Sequence, residues 1–303
     1  MSGIFEDFNE IEDLAEELND PSPGARIVAV IELADSADAA AIPYLAQAIS
    51  DEDAGVRLQA AVALTDFDGP ETSAALVTAL TDDDEKVRLA AAVSLTELKD
   101  PEAGTPLLAC LDSDNPFVAL SALKGLTELR RPDALGPAIE ALKNLDAEVR
   151  VAAVRVIGWL QDEGTLPALM SAAADPDPGV RRTAVAAFGF SKSDHAERAL
   201  IESLKDNDWQ VREAAAETLA KSGSEAAEPD LLAALDDEFW QVRLKAVRSL
   251  GKLGIPSAAP KIGPMMSMQI PNLRKECAAV LGELADTASV VFLQDYRDDA
   301  DPD

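Results

Sequence analysis

A period of 31 residues constrains this chain more than any other feature. Stepping by 31 from Arg57 in both directions gives Arg26, Arg57, Arg88, Ala119, Arg150, Arg181, Arg212, Arg243 and Arg274, eight arginines in nine positions with no insertion. The residue before this marker is Ala25, then valine from Val56 to Val242, then Leu273. Three residues after it stand Ala29, Ala60, Ala91, Ala122, Ala153, Ala184, Ala215, Ala246 and Cys277. Seven after it stand Leu33, Leu64, Leu95, Leu126, Ile157, Phe188, Leu219, Leu250 and Leu281. A fixed period of this kind means a stacked array of similar units.

Each unit reads as two helices. Apolar columns at −1, +3, +4 and +7 from the marker lie on one face of a 3.6-residue helix. Four residues before the marker come Ser22, Asp53, Asp84, Asn115, Asp146, Asp177 and Asp208, residues that cap a helix start. Proline follows at Pro23, Pro116, Pro178 and Pro271, as suits a first helical position. A second apolar set at −12 and −8, such as Leu45 with Ile49 and Leu76 with Leu80, marks a preceding amphipathic helix. One such pair cannot bury its apolar face alone, whereas nine stacked pairs bury a continuous core. The expected fold is all-α: a right-handed superhelical α-solenoid of nine two-helix repeats, 1–297, ending in a capping helix over 285–296. The acidic tail, 298–303, is expected to be disordered.

The D-x-x-V-R opening of the second helices, read at Asp53, Asp84, Asp146, Asp177 and Asp208, resembles that of HEAT repeats. Asp206-Asn207-Asp208-Trp209-Gln210-Val211-Arg212 is similar to the short repeats of the phycobilisome-lyase-like HEAT family. That resemblance covers roughly residues 5–296. It implies two kinds of function: a non-catalytic adaptor, scaffold or maturation factor, or a lyase-type subunit acting on a bilin-bearing protein. Fold alone does not choose between them.

Charge and composition exclude several classes. Net charge is −30, from 56 acids against 26 bases, so nucleic acid and anionic membranes are repelled. The N-terminal stretch lacks the positive flank of a signal peptide, and no apolar run reaches a membrane span of about 18 residues. A cytoplasmic monomer is expected. His195 is the lone histidine, read as solvated in a Ser/Asp loop. Without more histidines neither a zinc site nor a Ser-His-Asp triad can be built. Deoxyhypusine hydroxylases, also HEAT-like, need several His-Glu pairs. The HEAT-like DNA glycosylases need a basic groove. No cofactor and no metal are expected, and the Asp clusters do not follow a calcium-loop pattern. They read as caps, with the marker arginines paired to these acids or to turn carbonyls in a ladder. Cys110 and Cys277 read as buried packing residues. Met265, Met266 and Met268 read as a loosely packed cap, or as a plastic docking surface.

The candidate site lies on the second helices, which line the concave side in HEAT-like solenoids. With −1, +3, +4 and +7 buried, positions +2, +5 and +9 are expected to face outward. Early units then show Ile31, Val62 and Val93 above an acidic rim. The middle shows Arg155, Trp159 and Phe190, and later units show Lys221, Lys245, Arg248 and Lys252. Seven bases and no acid stand between Trp240 and Lys275. Exposed aromatics beside arginine have the composition of an interface hot spot. The partner-binding set is therefore Arg155, Trp159, Phe190, Lys221, Lys245, Arg248 and Lys252. The rival reading places tetrapyrrole propionates on the basic residues. Trp209 and Trp240, in the first turn of adjacent second helices, read as structural.

Overall fold

In the computed structural model, residues 10–223, 225–285 and 287–296 are described; the tail 298–303 lies outside them. The chain divides into two compact units, Met1–Leu160 and Gln161–Asp303. Among the described residues there is no strand.

The described residues of the first unit form five helix pairs. These are α1 Glu10–Glu17 with α2 Pro23–Asp35, α3 Ile42–Ala48 with α4 Ala54–Ala63, and α5 Pro70–Ala79 with α6 Glu85–Ser94. Then come α7 Gly104–Leu108 with α8 Pro116–Leu129, and α9 Leu135–Ala141 with α10 Ala147–Leu160. The second unit holds α11 Leu166–Ala172 with α12 Pro178–Ala187, α13 Asp194–Ser203 with α14 Trp209–Ser222, and α15 Glu228–Ala234 with α16 Trp240–Lys252. It ends with α17 Ala259–Ile262, α18 Pro271–Leu284 and α19 Thr287–Asp295.

The periodic columns become the core. At +3, Ala29, Ala60, Ala91, Ala122 and Ala153 in the first unit, and Ala184, Ala215, Ala246 and Cys277 in the second, have no exposed surface. The small side chain there lets neighbouring second helices approach: α4 packs on α2 and on α6, and α16 packs on α14 and on α18. Leu33, Leu64, Leu95 and Ile157 at +7 are fully buried, as are Phe188, Leu219, Leu250 and Leu281. Each such side chain stabilises the stack by about 1.5–3 kcal/mol. First helices contribute Leu45, Leu76 and Leu107, also fully buried. The expected capping helix forms as α19, which packs on α17 and α18. Gly263 is needed there, because a Cβ would collide with the Phe292 ring.

Helix starts follow the capping column. Asp53 accepts from the amides of Gly55 and Val56, and Asp177 from those of Gly179 and Val180. Asp84, Asn115, Asp146 and Asp208 do the same at their helices. Ser22 makes no such bond, and Pro23 at the first position starts that helix unaided. His195 also departs from expectation: it lies in the first turn of α13, capped by Ser193, and not in a loop. Met265 and Met266 are buried against the last repeat and offer no docking surface, and Met268 is half-buried. Both cysteines are free and buried, and burial pushes the Cys277 thiol up to about 12.

Candidate partner-binding face

The marker arginines form the expected ladder at the turn edge. In each complete rung the guanidinium donates to a carboxylate 25 residues ahead and to a carbonyl six residues behind. Arg57 donates from Nε and Nη2 to Asp82 at 2.6 and 2.9 Å, and from Nη1 to the Asp51 carbonyl at 2.9 Å. Arg26 repeats this with Asp51. In the second unit Arg181 pairs with Asp206 and Arg212 with Asp237. The same carboxylates accept a backbone amide two residues on, such as Asp53 N–H to Asp51.

These carboxyls lie below the ordinary aspartate value of 3.8. For Asp82 the Arg57 hydrogen bond is the main cause, and it outweighs burial. For Asp51, Asp206 and Asp237, burial pulls upward most strongly, but the arginine and amide bonds together overcome it. Charge at this edge is thus consumed within the stack.

The ladder is interrupted where one partner is missing. Arg88 keeps its carbonyl bonds to Asp82 and Asp83, but the residue 25 ahead is Ser113, which carries no charge. Arg243 keeps its carbonyl bonds to Asp237 and Glu238, yet its buried Nε has no partner, because Met268 stands 25 residues ahead. In the first unit the marker at 119 is alanine. A cleft of about 740 Å³ opens there between the turns Asp112–Pro116 and Lys143–Asp146. Leu145, on its rim, is 100% exposed. No group of histidine, cysteine or acidic side chains able to hold a metal occurs among the described residues.

The second-helix columns differ from expectation in one respect. Positions +5 and +9 do face outward: Ile31, Val62, Val93, Lys124 and Arg155 are exposed at +5, and Asp35, Asp66, Glu97, Glu128 and Trp159 at +9. Position +2 does so at Val28, in the first repeat, but not in the later ones. Ser121 and Ala152 are buried, while Gln59, Ala90, Thr183 and Ala214 are half-buried. A +2 side chain sits on the flank that meets the preceding unit, which a single helical wheel cannot represent.

That flank decides the fate of the basic residues. The side chain of Lys245, at +2, is only 17% exposed and its Nζ lies 3.0 Å from Glu217. Arg248 donates from Nε and Nη2 to Glu276 at 2.8 and 2.6 Å. Both pairs join a +5 residue to the +2 residue 28 positions later. The Lys245 hydrogen bond lowers the Glu217 carboxyl, and the Glu276 hydrogen bond raises the Arg248 guanidinium. These two of the seven bases in the acid-free run are therefore neutralised by acids of neighbouring repeats. Lys221 and Lys252 remain exposed, and Phe190 is half-buried just after α12.

In the first unit Trp159 is 47% exposed on α10, and the Arg130 guanidinium lies 4.5 Å from its ring centroid. Arg155 is exposed one turn earlier. In the second unit Trp209 stacks on Phe239 at 5.3 Å, with Arg212 over the same Phe239 ring. That cluster ties two successive helix starts together, so Trp209 is structural, as its position suggests.

Helix pairs stacked through a repeated core define an α-solenoid. The chain belongs to the HEAT-repeat family: the HEAT-repeat family model matches residues 11–96, 63–122, 104–187, 166–237 and 228–303. No curated protein matches it in sequence. Among solved structures it is similar to an engineered protein, at 20% identity and TM-score 0.52, covering 97% of this chain and 95% of that one. It is similar to Escherichia coli YibA, at 18% identity and TM-score 0.57, over 84% and 96% of the two chains. A chain from a structure of Kap95p binding to RanGDP matches with TM-score 0.66 at 14% identity. That match covers 98% of this chain but 50% of the other. At these identities the likeness is one of fold. No helix among the described residues is long and apolar enough to cross a membrane.

Proposed function

We propose that this chain is a non-catalytic, cytoplasmic scaffold or assembly factor that binds a partner protein on the outward face of its second helices. The single observation that carries this reading is Trp159, a large aromatic left 47% exposed beneath Arg130 and beside Arg155. Burying such a ring costs little side-chain entropy and removes a large apolar area from water. Neither arginine has an ion pair among the described residues, so both are available to a partner's carboxylates. In the second unit, Lys221 and Lys252 are the exposed cations on the same helical face and Phe190 the nearby aromatic. Lys245 and Arg248 act there through their ion pairs, shaping the face more than contacting a partner. That the short repeats belong with the phycobilisome-lyase-like kind is part of this proposal. A lyase-type role for propionate-bearing chromophores is less well supported, because two of its four basic residues, Lys245 and Arg248, are already paired.

The test is affinity capture from the native host with the full chain, wild type against Trp159→Ala. Loss of a specific retained protein in the variant is the expected result. Equal retention by both would remove Trp159 from the interface.

A further inference from the structure

The first three repeats leave a surface that the reading above does not use. Ile31 on α2, Val62 on α4 and Val93 on α6 occupy the same +5 column and are 38%, 47% and 63% exposed. Beside them, one turn on, stand Asp35, Asp66 and Glu97, all exposed. None of these three carboxylates has a hydrogen bond or ion pair among the described residues, in contrast to the aspartates of the ladder. The +2 residues that meet Ile31, Val62 and Val93 from the following unit, 28 positions on, are Gln59, Ala90 and Ser121, which bring no charge to this stripe.

We propose that the faces of α2, α4 and α6 dock an extended basic segment of a partner protein, with aliphatic side chains on Ile31, Val62 and Val93 and basic side chains on Asp35, Asp66 and Glu97. Charge complementarity selects this occupant. A second copy of this chain, at net charge −30, and an anionic lipid surface are both repelled. The usual spacing of packed helices, as α2, α4 and α6 are, favours one conformation for it. Packed helices lie about 8–10 Å apart. A polyproline II segment repeats its face every three residues, about 9 Å. A β-strand repeats its face every two residues, about 6.8 Å, and falls out of step. The occupant therefore carries aliphatic and basic residues at every third position. This inference rests on the reading that partners bind the second-helix face.

Fluorescence anisotropy tests it, using the full chain and a labelled peptide of four Lys-Pro-Val triplets. Controls are four Glu-Pro-Val triplets and a shuffled peptide of the lysine composition. The lysine triplet peptide should bind, and added salt should weaken it. The double variant Val62→Ser/Val93→Ser should weaken it about tenfold. Asp66→Lys/Glu97→Lys should weaken it more. All four positions are exposed, so folding is preserved, and circular dichroism checks this. The proposal fails if the triplet peptide does not bind or if the glutamate peptide binds equally. It also fails if the serine variant binds like wild type, which would reduce the attraction to overall charge. Equal binding of the shuffled peptide would overturn the three-residue register. Loss of this inference alone leaves Trp159-dependent capture intact; loss of that capture with peptide binding retained would strike the broader reading instead.

Discussion

The two compact units share one period and the same kind of rung but fill the +5 column of their second helices differently. In the early repeats of the first unit +5 holds the exposed, uncharged Ile31, Val62 and Val93, with Asp35, Asp66 and Glu97 unpaired beside them at +9. In the second unit, Glu217 holds Lys245 and Glu276 holds Arg248. A charge counted in the sequence is therefore not a charge on offer at the surface. The repeat dictates the backbone and the core columns, while +5, +9 and +2 vary from one repeat to the next. What a unit presents depends on whether its +5 residue finds an opposite charge 28 positions along.

The largest effect should come from the element both units share. Arg57→Ala in the first unit and Arg212→Ala in the second each strand a mostly buried aspartate, and urea denaturation should show a loss of about 3 kcal/mol for each. A much smaller loss in one unit would mean that its ladder is ornamental. Acid should act on the same rungs. Because Asp51, Asp82, Asp206 and Asp237 are held below 3.8, their stabilisation is complete above that value and is lost as pH falls through and below it. Thermal melts from pH 6 to about pH 2 should show this fall, and Arg57→Ala should flatten it.

Intermediate effects belong to the interrupted rungs. Ala119→Arg combined with Asn144→Asp places a guanidinium in the cleft beside Leu145 and an acceptor opposite it, and should raise stability by about 1 kcal/mol. No gain would mean that the gap is shaped for something other than an arginine. Lys245→Gln removes a mostly buried cation from Glu217 and should destabilise by about 1 kcal/mol. Val62→Ser, on the open stripe of the first unit, should change stability by less than about 0.5 kcal/mol. A reversal of that order would undo the contrast between the units.

Much of this architecture is legible in the amino-acid sequence. The period, the caps at Asp53 and Asp177, the buried alanine column and the capping helix all follow from residues repeated in register. The ladder is legible too, since acids recur in the turns that the marker arginines face. The departures on the binding face share one physical cause. A helical wheel knows one helix, whereas Lys245 at +2 lies against the previous unit, where Glu217 waits. Opposite charges 28 residues apart are the signal that marks both Lys245 with Glu217 and Arg248 with Glu276. Ser22 and His195 depart for local reasons: a proline can start a helix without a cap bond, and Ser193 caps α13 earlier than the composition of that stretch suggests. The Arg130–Trp159 contact has no sequence signal, because Arg130 takes a left-handed backbone at the end of α8 that places its side chain over the next repeat.

Hydroxyl-radical footprinting of the full chain, read by mass spectrometry, measures most directly whether columns of letters become open and closed stripes. Ile31, Val62, Val93 and Trp159 should oxidise rapidly, while Leu64, Leu95, Ile157 and Phe188 stay protected. Protection of Trp159 and Val93 in the free chain, or fast oxidation of Phe188 and Leu95, would contradict the helix phase on which the binding face depends.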